Sequence, residues 1–498
     1  MTLLYEWLDR VATDLGNAKA LVYRDNYLSW RGLLHRVERR AQEFHSMGVR
    51  PGDLVGLMLG NVPDFVILSL ALSRNGATIV PIDPTTASQE FELMLETVPL
   101  RALITRPRGS DIQNPAPTAR TRAPTTGPVY PPDERKRGTE AAESRRRLQG
   151  TLLVCSTFRR PPAELPTIPE VVMFTADSAG DPKAVLRSRE NLEAEAEKVT
   201  HALDLNQETT ILAAMPLFHA YGWDLGLLAA MRHGATLYVE EEMSARRICR
   251  ILREQEVDVL PGTPFLFGGL TKMPAVKPRK QKGVRFISAG SILEESVAET
   301  FHRRHSIRLM SAYHTTETGL VALDGSGKYP DSVGKVVDGI GIRLTNSEGK
   351  KARQTDERSV IWAKGDSVAL GSMGPYEIPP ARCGRIAVGG HDAKGWYRTG
   401  DLGRLDKNGR LHLQGREDDL VKVDGKRVAL CEVEGCVESF PKVKQAQAFI
   451  VEDPLAGPMV VVRVISSAKC RPEEIIDHCA KNLAPYKVPR RIEFCDRL

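Results

Sequence analysis

Nowhere in this sequence do two cysteines form a CxxC pair. The 8 cysteines stand at positions 155, 249, 383, 431, 436, 470, 479 and 495. None has zinc-ligand spacing, which excludes a zinc ribbon or a thioredoxin-like redox centre. Their scatter through 498 residues points to a reducing compartment. Long apolar runs are also missing. The most hydrophobic stretch, residues 65–81, is interrupted by Arg74, Asn75 and Gly76, so no membrane-spanning helix is expected. The opening MTLLYEWLDRVATDLG carries charges throughout and has the pattern of an amphipathic helix, not of a secretory signal. A cytoplasmic protein is expected. Neither sign of charge dominates: the net value is +6, much of it gathered at 101–160 around Arg135, Lys136, Arg137, Arg145, Arg146 and Arg147. Such local concentration is no whole-protein nucleic-acid footprint. No internal repeat is evident.

What is present is apolar material enough, 42% of residues, for ordinary globular cores. The length predicts two or more domains. Up to about residue 105, helical and strand patterns alternate. WRGLLHRVERRAQEFHSMG repeats apolar residues at helical spacing and closes on Gly48, a C-terminal cap. The buried-strand pattern DLVGLML, the helix pattern PDFVILSLALSRNG and the strand ATIVPI follow. This alternation predicts an α/β fold of doubly wound sheets. Residues 106–169 are rich in Pro, Arg, Thr and Ala and read as a low-complexity loop or insertion. Alternation resumes at Val171 and runs to about Asp401. From GRLHLQGREDDLVKVDGKRV onward the strands shorten, and amphipathic segments at 432–440 and 472–483 follow. The expected architecture is a large N-terminal domain, residues 1–415, and a small α+β C-terminal domain, residues 416–498.

One stretch carries the first hint of chemistry. In VVMFTADSAGDPKAV (171–185) a strand runs into a small, polar loop punctuated by Gly180 and Pro182. Such a loop presents backbone N–H groups and the hydroxyls of Thr175 and Ser178 to phosphate oxygens, with Lys183 as a mobile positive charge. No G-K-[ST] follows, so it is not a Walker loop. Taken by itself the stretch also fits a plain surface turn.

Five further stretches follow in order: PLFHAYGW (216–223), FISAGSIL (286–293), AYHTTETG (312–319), WYRTGDLG (396–403) and GREDDLVKVDGKRV (415–428). Together with GVRPGDLVGLMLGN and NLAPYKVPRRIEF, their order and spacing resemble the adenylate-forming superfamily of acyl-CoA synthetases, peptide-synthetase adenylation domains and beetle luciferases. The resemblance covers nearly the whole chain. It implies that a carboxylate attacks the α-phosphate of ATP to give an acyl-adenylate and pyrophosphate, and that a thiol then displaces AMP.

On that resemblance Glu317 is the Mg2+ ligand, Thr316 touches phosphate, and Tyr313 stacks on adenine. Thr175, Ser178, Gly180 and Lys183 form the phosphate loop. Gly290 lies at the nucleotide and acid, Asp401 accepts the ribose hydroxyls, and Arg416 reaches the ribose and phosphate. Asp418 is the hinge of a mobile C-terminal domain, Lys422 serves the thioester half-reaction, and Gly425 lets the pantetheine arm of coenzyme A pass. Arg427 meets phosphate or nucleotide. His219, Gly222 and Trp223 belong to the acid pocket, with Phe265 and Phe267 near it. Asp224 is out of place for binding an α-ammonium, which favours an acyl or aryl acid.

The chain departs from the family pattern at three places. Asp177 replaces a glycine and Ala176 and Ala179 replace donor-rich positions in the phosphate loop; a carboxylate there repels a triphosphate. His314 stands where the family has glycine. The family's P-x-x-x-x-G-K segment, whose lysine serves adenylation, has no counterpart up to Leu498. These departures imply an acid–thiol ligase with weakened adenylation. Two alternatives stay open: a non-catalytic or half-reaction relative that binds nucleotide, acyl-adenylate or coenzyme A, and a ligase that loads the phosphopantetheine of an acyl carrier protein.

Overall fold

The computed structural model describes residues 2–86, 88–106, 144–151, 153–158, 168–176, 182–276, 284–346, 358–373, 390–417, 420–423, 426–453, 457–483 and 487–495. The chain forms two compact units. The first comprises Met1–Arg343, Trp362–Thr399 and Lys407–His412; the second comprises Leu344–Ile361, Gly400–Asp406 and Leu413–Leu498. The units are thus discontinuous in sequence, where sequence reading places a single cut before Arg416.

The first unit holds two large sheets. In one, the parallel strands Val171–Ala176, Thr78–Ile82, Leu54–Met58 and Ala102–Thr105 lie side by side. In the other, Leu309–Thr315, Arg285–Ser288, Val259–Gly262, Thr210–Ala213, Thr236–Val239 and Lys19–Tyr23 run parallel in that order. Leu54–Met58 and Thr78–Ile82 are buried at every position, as expected of strands covered on both faces.

The apolar stretch that sequence reading excludes from a membrane becomes the helix Pro63–Arg74. It starts on a proline, which needs no N–H partner there, and its residues 65–73 are all buried. Among the described residues no helix is long and apolar enough to cross a membrane. The helix Trp30–Ser46 starts where the Ser29 hydroxyl accepts the Gly32 N–H at 3.2 Å. It ends just before Gly48, whose φ of +88° is the left-handed turn expected of a helix stop.

The 106–169 segment requires a correction. Residues 107–143 and 159–167 lie outside the described residues, but Val154–Thr157 pairs antiparallel with Ala102–Thr105, and Ser144–Arg147 adds the edge strand. The edge strand SRRR has no alternating apolar pattern because backbone pairing, not burial, recruits it.

In the second unit, Val443–Asp453, Gly457–Ser466 and Arg491–Phe494 form a three-stranded sheet. The helices Leu430–Glu438 and Pro472–Asn482 contribute Val433, Val437, Ile475 and Cys479 to a small core against Val460, Val462 and Val464. This is the α+β unit anticipated from the close hairpins and paired amphipathic segments.

Candidate active site

The strands Val171–Ala176 and Pro182–Arg187 are antiparallel, and Thr175 stands opposite Lys183. The loop between them, with Asp177, Ser178 and Gly180, lies outside the described residues. Lys183 donates from Nζ to the Glu317 carboxylate at 2.5 Å and to the Tyr397 hydroxyl at 3.4 Å. The Glu317 side chain is 13% exposed. Burial by itself would raise its carboxyl. The charge and hydrogen bond of Lys183, with the Glu317 backbone and the Tyr397 hydroxyl, outweigh that and hold it below the ordinary glutamate value. A charged, partly accessible carboxylate is a hard oxygen donor, so the site fits a divalent cation such as Mg2+.

Glu317 is carried on a tight reversal between the strands Leu309–Thr315 and Gly319–Leu323. The Thr315 hydroxyl accepts the Thr318 N–H at 3.1 Å. The Glu317 carbonyl accepts the Ala369 N–H at 2.7 Å. Gly319 has φ +67°, and a Cβ on it would stand 1.9 Å from a Glu195 carboxylate oxygen. Only glycine satisfies both conditions.

Behind this reversal lies a group of charges that sequence reading did not assemble. Arg187 and Asp224 are both fully buried and pair at 2.6 Å. The other Asp224 oxygen lies 2.9 Å from His314 Nε2. Burial by itself would raise the Asp224 carboxyl; Arg187 and His314 reverse this and hold it below the usual aspartate value. An ionised carboxylate only accepts, so Nε2 carries the hydrogen. Lys198 and Glu195, one helical turn apart on Arg189–Ala202, pair at 2.7 Å. Glu195, Asp224 and His314 bring ligand-type atoms within 4.8 Å of one another. Glu195 and Asp224 are fully buried, and their oxygens are already held by Lys198, Arg187 and His314, so unlike the partly accessible Glu317 carboxylate they are not open to a metal ion from solvent.

Residues 8–373 match the family profile described as AMP-binding enzyme, and residues 432–498 match that of the AMP-binding enzyme C-terminal domain. The chain belongs to the AMP-binding enzyme family. Its relatives include a crotonobetaine/carnitine–CoA ligase of Salmonella paratyphi B, 24% identical over 98% of this chain and 95% of the relative. An oxalate–CoA ligase of Arabidopsis thaliana is 26% identical over 99% of this chain and 94% of the relative. Among solved structures, o-succinylbenzoate coenzyme A synthetase of Bacillus subtilis in complex with AMP superposes with a TM-score of 0.77 at 22% identity. That match covers 99% of this chain and 95% of the other. The same synthetase with its acyl-adenylate intermediate gives a TM-score of 0.78 at 22% identity, over 99% of this chain and 94% of the other. The fold of this AMP-binding enzyme is therefore that of an α/β large unit with a smaller C-terminal unit.

Within this AMP-binding enzyme the expected site residues are placed unevenly. Lys183, Thr316 and Glu317 fall on facing segments of the first unit. Tyr313 is buried on the strand Leu309–Thr315, and Gly290 is exposed with φ +90° after Arg285–Ser288. His219 is exposed at the start of the short helix Ala220–Gly222, its ring 4.7 Å from Phe218. Gly222 has no room for a side chain, since a Cβ would meet the Pro216 carbonyl oxygen at 2.1 Å. Trp223 is fully buried, edge-on to Phe65 at 6.1 Å, and Phe267 packs with Phe286 and Phe301. Phe265 is exposed.

In the second unit, Arg416 donates to Asp401 at 3.3 Å. Lys422 stands opposite Arg427 in the hairpin of Leu420–Val423 and Lys426–Ala429. Asp418 and Gly425 lie outside the described residues. Sequence reasoning missed Tyr397, although it stands inside the quoted WYRTGDLG. It also missed Arg187, Glu195 and Lys198, whose charges in local sequence resemble any solvated ones.

Proposed function

We propose that this AMP-binding enzyme is an ATP-dependent acid–thiol ligase that activates a carboxylic acid as its adenylate and transfers the acyl group to coenzyme A. The observation that carries this reading is the Lys183–Glu317–Tyr397 cluster. It pairs the lysine that follows a phosphate-loop sequence with the glutamate of a T-T-E turn. The relatives that are CoA ligases support the acid and thiol classes.

In the first half-reaction a carboxylate oxygen attacks the α-phosphorus, the bond to the bridging oxygen breaks, and pyrophosphate leaves. Lys183 offers three N–H donors on a flexible stem. It can therefore keep one bond to Glu317 while donating to a phosphate oxygen. Glu317 would hold Mg2+, which supplies charge neutralisation to the phosphates when bound, and the Thr316 hydroxyl touches phosphate. Asp401 accepts the ribose hydroxyls, and Arg416 orients its carboxylate. In the second half-reaction a thiolate attacks the acyl carbonyl, and AMP leaves as the thioester forms. Lys422 and Gly425 serve that step. Thr175, Ser178 and Gly180 cradle phosphate, and Tyr313 and Gly290 bound the nucleotide. His219, Gly222 and Trp223 shape the acid end.

Asp177 adds a negative charge beside the phosphates, which makes adenylation weak. The described cysteines 155, 249, 436, 470, 479 and 495 are free thiols, which supports a reducing, cytoplasmic setting. The test is ATP–pyrophosphate exchange with Mg2+ over fatty, aryl and amino acids. Exchange with one acid class, lost at least a hundredfold in Glu317→Gln, is expected. Absence of exchange with every acid, from protein that still binds AMP, would replace this reading with a binding or second-half-reaction role.

A further inference from the structure

The buried charges around the reversal at 315–320 do more than fill the core. Lys198 Nζ donates to the Ser367 hydroxyl at 2.6 Å and to the Thr318 carbonyl at 3.2 Å, and Ser367 donates to the same carbonyl at 3.1 Å. Glu195 accepts the Leu320 N–H at 2.8 Å. The ion pair therefore grips the backbone on the C-terminal side of Glu317 at two successive peptide groups. On the N-terminal side, His314 is tied to Asp224, and Asp224 to Arg187. Arg187 lies on the same strand as Lys183, four residues on, so both side chains leave the same face of it. Both partners of the Lys183–Glu317 contact thus sit on segments fixed by one set of buried charges.

Asn191 extends this arrangement. From the first turn of Arg189–Ala202 its side chain donates to the carbonyls of Asp366 and Val368, each at 2.8 Å. The adjoining Ala369 N–H binds the Glu317 carbonyl, and the Leu370 N–H binds the Leu186 carbonyl. The helix, the reversal and the lysine strand are therefore bridged by residues 366–370.

Buried ion pairs seldom add stability over apolar residues of the same shape, because both charges lose their hydration. A pair of this kind, with its remaining donors and acceptors aimed at one short turn, is suited to fixing geometry. We propose that Glu195 and Lys198 are positioning residues. They hold the 315–320 reversal so that the Glu317 carboxylate meets a metal-bound triphosphate at the correct place. This rests on the reading of Glu317 given above, and it assigns a role to residues that touch neither nucleotide nor acid.

The experiment measures ATP binding by titration calorimetry, with Mg2+ and again in EDTA, on the full chain. The variants are Lys198→Met, Glu195→Gln and the double variant carrying both. Each single variant leaves a buried charge without its partner, so each lowers the urea midpoint. The double variant has no unpaired buried charge and regains most of it. Positioning predicts that the double variant, although stable, binds Mg2+–ATP at least tenfold more weakly than the parent while binding ATP in EDTA equally well. It also predicts that adding the pair of changes to Glu317→Gln has no further effect. A stable double variant with parental Mg2+–ATP affinity would overturn the proposal. So would losses that multiply with Glu317→Gln, or a parent protein whose ATP binding ignores Mg2+. A parent that binds Mg2+–ATP but catalyses no exchange would instead sink the ligase reading, leaving the positioning result readable.

Discussion

Two arginine–aspartate pairs of this protein share one chemistry and almost nothing else. Arg187 and Asp224, in the first unit, are fully buried 2.6 Å apart. Arg416 and Asp401, in the second, stand at 3.3 Å with the arginine 48% and the aspartate 15% exposed. The buried pair cannot exchange its partner for water or ligand, because every alternative strands a charge in the core. The open pair loses little when parted, since solvent screens it and long side chains resist ordering. A carboxylate proposed to accept ribose hydroxyls sits in the second setting; one that holds a wall in place sits in the first.

The widest separation between the two should come from neutralising each aspartate in turn. Asp224→Asn leaves the Arg187 guanidinium buried, and its Nε and Nη2 already lack hydrogen-bond partners among the described residues. Breaking a buried pair this way costs about 3–5 kcal/mol, read as a lower urea midpoint at pH 7. The loss should depend on pH. Asp224 titrates below its ordinary value in the fold. Its contribution is therefore fully present above the unfolded carboxylate value of about 3.9. It disappears as pH falls through the lower folded value. The parent should lose stability across that acid window more steeply than Asp224→Asn, and parallel acid profiles would show that Asp224 does not carry the charge.

Asp401→Ala should behave in the opposite way. Stability should change by no more than about 1 kcal/mol, as for a solvent-accessible ion pair, while AMP affinity falls at least tenfold. Calorimetric AMP titration and a urea midpoint on the same preparation check both halves. An unchanged AMP titration would remove Asp401 from the nucleotide site. A large drop in stability would mean that the contrast between the two pairs is misjudged.

The same contrast explains what the sequence discloses. Helical and strand periods, the glycine stop at Gly48 and the order of short motifs are local features, so the α/β fold, the C-terminal unit and the Lys183–Glu317 elements are legible without coordinates. Arg187 follows the apolar VL of its strand and precedes the helix start, where an arginine normally faces water. Glu195 and Lys198 three residues apart have the spacing of an ordinary solvated helix pair. Asp224 interrupts an apolar run, the one local sign that a buried charge was being matched. His314, met alone, is a damaged glycine position. Only the tertiary fold, which brings the Asp224 carboxylate to its Nε2 and the Tyr221 ring beside it, shows that the imidazole has a buried partner. Edge strands such as Ser144–Arg147 are invisible for a related reason: pairing satisfies their backbone, and no side-chain pattern is needed.

The smallest predicted effect concerns a charge that has no such compensation in the sequence around it. Asp177 follows Thr175 and Ala176 in the phosphate-loop sequence, and its nearest cation in sequence is Lys183, which in the structure is already engaged by Glu317. Its repulsion should scale with the charge of the ligand. ATP, with its longer row of phosphate charges, should suffer more than AMP. Asp177→Gly should therefore tighten ATP about threefold to tenfold, a gain of roughly 0.7–1.4 kcal/mol, and leave AMP nearly unchanged. The gain should shrink with added salt if the repulsion acts through solvent, because salt screens such charges. Equal tightening of ATP and AMP would point instead to the backbone freedom that glycine restores. No tightening of either would mean that this carboxylate does not repel the phosphates, and the proposal that it weakens adenylation would fall.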